Sequence, residues 1–301
     1  MMGEQFWWFY DLIVVAAVAA NMYISGGKGA MKAFSTFVAY LVAIVMGLSI
    51  SASVSDSLAR NSIKNSNAKK INTALENYKF CDKVAEHIAG LDYHLTVETA
   101  QLEKIYKGNK NYDDEIFRLV NNRTGKKIPD TKEVFVEKLH TGYAEIIKSI
   151  VAEELSKYAA EVAYKEAIEN PEYFDLFIPL IITKEDHRPA ADFISDYYTR
   201  PAYRTTTWLI TFMILFTLIL VGMLLLVNYV IGNGYHEQQL VSHIGGALIG
   251  IPKGLILSFA AAVLVRLLVV MGSDEMLFFN FKAVDKTYLF KYLYNYVADH
   301  M

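Results

Sequence analysis

A single cysteine, Cys81, in 301 residues excludes any internal disulfide. With no histidine partner nearby, Cys81 reads as a small buried hydrophobe on a helix and not as a nucleophile. The chain also lacks a strong charge of either sign. Its net charge of −3 gives no electrostatic case for nucleic acid. The opening "MMGEQFWWFYD" lacks the basic n-region of a secretory signal, and a second apolar run follows the first directly, so no cleavable leader is expected. No His-Glu-x-x-His and no Gly-x-Ser-x-Gly occurs, so neither an enzyme nor a cofactor is expected. His236 and His243, with Glu237 beside the first, are the nearest thing to metal ligands, and a wet interfacial loop accounts for them better.

Apolar residues are abundant: 53% of the chain, with 13% aromatics and a mean hydropathy of +0.23. They concentrate in four runs, about residues 8–26, 28–52, 208–231 and 245–271, each near the 20 or so residues that cross a bilayer. The third carries no charge at all. Trp7, Trp8, Tyr10 and Trp208 stand at segment starts, where amphipathic rings favour the headgroup layer.

Between the second and third runs lie about 150 polar residues that read as helical. Ile71, Leu75, Tyr78, Val84 and Ile88 recur near helical spacing. Ile147, Ile150, Val151, Leu155, Tyr158, Val162 and Tyr164 form a stronger stripe, on one helix that ends at "NPE", 170–172. Residues 121–130 read as a loop. After Gly272 an aromatic tail places Leu289, Tyr292, Leu293, Tyr296 and Val297 on one face, as suits a helix lying in the bilayer interface. The expected fold is therefore all-α: an integral membrane protein with four transmembrane helices in two hairpins (1–52 and 208–272), a helical extramembrane insert (53–207) and an amphipathic C-terminal helix (273–301).

The stretch "YISGGKGAMKAF", 23–34, superficially suggests a phosphate loop. Aligning Gly27–Lys28 with the P-loop pattern puts Met22 where the first glycine belongs and Gly29 where Ser or Thr should bind magnesium, so the pattern fails. A second Lys-Gly pair, Lys253–Gly254, opens the fourth run. Lys28 precedes Gly47 and Lys253 precedes Gly272 by the same nineteen residues, which suggests two related hairpins. Gly246, Gly250 and Gly254 form a small-xxx-small ladder suited to close helix packing. Exposed ladders of this kind would supply homo-oligomer contacts. The ionisable residues within the spans are Asp11, Lys253 and Arg266. Asp11 lies 17 residues before Lys28 and Arg266 lies 13 after Lys253, about 25 and 20 Å of helix, so their depths nearly agree; the alternatives are an Asp11–Arg266 pair and two charges that snorkel separately, each to its own interface.

These motifs resemble the colicin V production (CvpA) family of bacterial inner-membrane proteins. The resemblance rests on Asp11 followed by Lys28–Gly29 and Lys32, on "GGALIGIPKGL" at 245–255, and on the short aromatic tail. It covers about 120 to 140 residues in two blocks; the 150-residue insert departs from it, as does Ala33, where an acidic residue often stands. It implies a multipass protein of the bacterial plasma membrane, accessory to toxin production or export and to envelope upkeep, with Asp11, Lys28, Gly29, Lys32, Gly246, Gly250, Lys253, Gly254 and Arg266 as the functional candidates. The alternative is a small oligomeric transporter or channel. Expected partners are the lipid bilayer, further copies of the chain and a protein at the insert, with no nucleic acid. Lys28, Lys32 and Lys253 in the short loops argue for an extracytoplasmic insert, whereas Arg60, Lys64, Lys69, Lys70, Arg200 and Arg204 at its flanks and Lys282, Lys286 and Lys291 in the tail argue for the reverse, so charge alone leans towards a cytoplasmic insert. The resemblance favours an extracytoplasmic one.

Overall fold

The computed structural model describes residues 6–108, 111–123, 128–183, 186–232, 240–271 and 281–300. Every regular element among them is helical. The chain divides into two compact units, Ala59–Tyr203 and the remainder.

Among the described residues four helices are long and apolar enough to cross a membrane, and they fall in the unit formed by the two ends of the chain, save the first turn of α11: α1 (Trp7–Lys28), α2 (Ala30–Leu58), α11 (Arg200–Ile231) and α12 (Leu240–Met271). This is an all-α membrane protein. The outward stripe of α11, Ile214, Leu218, Val221 and Leu225, is exposed and apolar, as a lipid-facing surface requires. The inner side of α11 meets its neighbours through rings. Trp208, Phe212 and Phe216 stack along the helix, and Phe259 of α12 meets Phe212 edge-on at 6.0 Å. Gly47 of α2 lies against Phe212, where a Cβ would come within 3.3 Å of the ring. The two short tail helices are α13 (Phe281–Asp285) and α14 (Phe290–His300).

The tail is amphipathic, with its faces divided differently from the expected stripe. Phe290, Tyr294 and Val297 turn inward, on a helix that packs against α12 and α1, while Leu289, Tyr292 and Tyr296 are exposed. The expected stripe mixed the two sets because both recur at helical spacing. The matched Gly272 lies outside the described residues.

The second unit is a helical bundle built around α7 (Lys132–Glu154), with α3 (Lys64–Leu75), α4 (Phe80–Gly90), α5 (Thr99–Gly108), α6 (Tyr112–Arg123), α8 (Lys157–Glu169), α9 (Tyr173–Ile182) and α10 (Arg188–Phe193) around it. Phe135, Leu139, Tyr143, Ile147 and Ile150 recur every three or four residues along α7 and are fully buried. The Tyr106 and Tyr143 hydroxyls bond each other at 2.9 Å within this core, beside Phe80 and Phe174. The single long helix expected through 143–169 breaks at Leu155. Ser156 caps a new helix by accepting from the Ala159 N–H at 3.1 Å. The face that α8 buries is Ala159, Ala160, Ala163 and Ala167, whose small side chains permit close approach, while Tyr158 and Val162 pack at its margin. The stretch 67–91 also divides, into α3 and α4. Two π-helical turns, at 59–63 and 194–198, interrupt the bundle's ends. The second presents Asp196 to Lys64 at 2.5 Å, and its Ser195 hydroxyl donates to the Lys64 carbonyl.

Asp130 accepts from Lys138 Nζ at 2.5 Å and from the Tyr93 hydroxyl. The Lys138 ammonium first, and then Tyr93, hold its carboxyl below the ordinary carboxylate range. An unfolded Asp130 therefore binds its proton more readily than the folded one. The stabilisation is complete above about pH 4 and is lost as pH falls through the depressed folded value. Hydrogen exchange in the first turns of α7 should be faster in Asp130→Asn than in the parent protein at pH 7. That gap should close as the pH drops below 4; a constant gap would refute the linkage.

Candidate functional site

The site begins with backbone proximity. Gly246, Gly250 and Gly254 fall on one face of α12 at four-residue spacing. Opposite them on α1 stand Ser25, Asn21 with Met22, and Val18 with Ala17, so the helices run antiparallel. A Cβ on any of the three glycines would strike α1 backbone atoms. At one end the seam is tied to the turn between α1 and α2. The Ala30 N–H donates to Ser242 Oγ at 2.9 Å, and His243 Nδ1 lies 2.7 Å from the Gly26 carbonyl. A single residue, Gly29, joins the two helices at φ 75°, a conformation that glycine adopts without strain.

Lys253 precedes the last seam glycine. Helical side chains lean towards the N-terminus, and its ammonium accordingly reaches back between α1 and α2. Nζ donates to Ser25 Oγ at 2.8 Å and to Thr36 Oγ1 at 2.9 Å, with the Tyr40 ring centroid at 5.4 Å. Thr36 donates its own proton to the Ala33 carbonyl, which leaves a lone pair for Lys253. The lysine is 2% exposed, and no carboxylate among the described residues pairs with it. A cation within a membrane span, held by two neutral oxygens and a ring, is costly to keep, which makes Lys253 a candidate functional residue. No family model, curated protein or solved structure matches the chain.

Two further lysines stand at the same end. Lys32 is buried and donates to the Gly232 carbonyl at 3.0 Å, just past the end of α11, where a helix presents partial negative charge. Lys28 lies half-buried in the last turn of α1, close enough to act electrostatically on both Lys32 and Lys253. The structure thus brings Lys28, Gly29, Lys32, Gly246 and Lys253 together at one end of the spans, with Gly250 and Gly254 farther along the same α1–α12 seam. Ser25, Thr36 and Tyr40 belong with them but carry no motif of their own. Only the reach of Lys253 towards its N-terminus could have indicated them.

Asp11 and Arg266 sit elsewhere and do not pair. Asp11 accepts from the N–H groups of Tyr288, Leu289 and Phe290 at 2.8, 2.8 and 2.9 Å, capping α14. Arg266 reaches the Tyr294 hydroxyl at 3.4 Å, with its guanidinium over that ring. Depth along the spans brought both charges to one level, but each is engaged by the tail helix. Asp11→Ala should loosen α14 by about 1–2 kcal/mol, with Asp11→Asn intermediate because its amide oxygen still accepts. The readout is amide exchange at Tyr288–Phe290 and protease clipping of the tail. Unchanged exchange in Asp11→Ala would refute the cap.

The glycine ladder needs a second correction. Its face is filled by α1 of the same chain, so these glycines are not an exposed oligomer contact. His236 and Glu237 lie outside the described residues. Among the described residues, no group of three His, Cys, Asp or Glu side chains is placed to hold a metal.

Proposed function

We propose that this chain is a membrane scaffold of the CvpA kind, accessory to toxin production or export and to envelope upkeep in the bacterial plasma membrane, with the insert extracytoplasmic and meeting a protein partner. The observation that carries this reading is the α1–α12 seam. Glycine backbones in contact and a lysine locked by two hydroxyls suit a rigid anchor better than a pathway that must open. The insert has its own core and exposed apolar points such as Leu176, which suit it to the work outside the bilayer.

The test has two arms. Cells lacking the chain should export less toxin and become detergent-sensitive. Labelling of a cysteine placed at the exposed Asn122 should occur from outside the cell. Normal export without the chain, or labelling only from the cytoplasm, would overturn the respective claim. The runner-up, a small oligomeric channel, draws on the three lysines gathered at one end of the spans. Anion flux through the purified protein in vesicles would favour it over the scaffold.

A further inference from the structure

We infer that the turn joining α1 and α2 binds an anionic phospholipid, with its phosphate at Lys28 and its neighbours and an acyl chain along α1. Three lysines, Lys28, Lys32 and Lys253, converge there from three helices, and no carboxylate among the described residues forms an ion pair with any of them. Lys253 and Lys32 are fixed by oxygen acceptors inside the protein. Among the described residues Lys28 has no such acceptor, and it remains half-exposed, so it is the cation placed to take a phosphate oxygen. The two fixed charges behind it raise the local positive potential in a setting where the protein and lipid screen poorly.

The surroundings decide between a lipid and a soluble anion. An apolar groove lined by Met22, Tyr23, Ile24 and Ala247 opens beside Gly26 and Gly27, immediately before Lys28. Tyr23 is 86% exposed, and Ile24, Met31 and Phe34 are also open, so the walls around the cluster are ones that hydrocarbon wets and water does not. A basic cluster at the end of a span, bordered by an apolar groove, matches a phosphate headgroup with an attached chain. The site is independent of any partner met by the insert, so failure of the scaffold reading would leave it standing.

The experiment uses the full chain in nanodiscs of phosphatidylcholine, with phosphatidylglycerol titrated in at constant total lipid. Retained lipids are counted by native mass spectrometry, and melting is followed in parallel. The parent protein should keep phosphatidylglycerol selectively and melt higher with it. Lys28→Gln should lose about fivefold of that preference, Lys28→Arg should keep it, and both should melt like the parent in pure phosphatidylcholine. Lys282→Gln on the tail removes the same charge elsewhere and should leave the preference intact. An undiminished preference in Lys28→Gln would overturn the site. Equal protection by inorganic phosphate would overturn the lipid as its occupant.

Discussion

Gly250→Leu should prevent α1 and α12 from pairing, at a cost of about 3 kcal/mol or more. A Cβ at position 250 already meets the backbone at Asn21 and Met22, which has no rotamer to yield. The larger side chain must force the helices apart along the whole seam. Separation would also remove Ser25 from Lys253, adding a buried cation to the loss. Gly222→Leu in α11 is the matched control, because a Cβ there has open space around it. Unfolding the purified chain by SDS titration should show a large shift for the first variant and little for the second. Equal shifts would mean that the seam is not what holds these helices.

Removing both hydroxyls around Lys253 should be nearly as damaging, and replacing the lysine should undo the damage. Ser25→Ala and Thr36→Val each delete a hydrogen bond to a charged group, costing about 1.5–3 kcal/mol. The double variant leaves the ammonium with only the Tyr40 ring, and a buried charge without partners costs roughly 3–5 kcal/mol. Adding Lys253→Met removes the charge and keeps the length of the side chain, so the triple variant should recover most of the stability. Lys253→Met alone should fold almost normally, because two hydroxyls can satisfy themselves on nearby helix carbonyls. A folded but inactive Lys253→Met would identify the charge itself as the requirement. If the triple variant is no more stable than the double, the hydroxyls do not serve the lysine.

The spans were legible because twenty apolar residues have few other uses, and the Gly246–Gly250–Gly254 spacing marked a close-packing face without revealing its partner. Small residues say how near a helix may come, not which one. The same gap explains Asp11. Its partners are backbone N–H groups, which every residue but proline carries, so no side-chain pattern pointed to Tyr288–Phe290. Arg266 was placed at the right depth without its neighbour, since depth fixes one coordinate of three. In the insert, apolar periodicity ran smoothly through Leu155, but the single cap at Ser156 outweighed it. The core of α8 is alanine, which a search for large apolar residues passes over.

Gly29 has a consequence for the order of synthesis. With one residue between them, α1 and α2 have no loop that would let the first cross the bilayer and wait for the second, so they must enter together as a bent pair. The mate of α1 comes much later: Lys253 follows Ser25 by 228 residues. At the ribosome's pace of about 5–20 residues per second, the polar notch formed by Asn21, Ser25 and Thr36 faces lipid or an insertase for roughly 10–50 s. The polar groups of the half-made pair are therefore covered only once α12, the last span to be made, packs against α1.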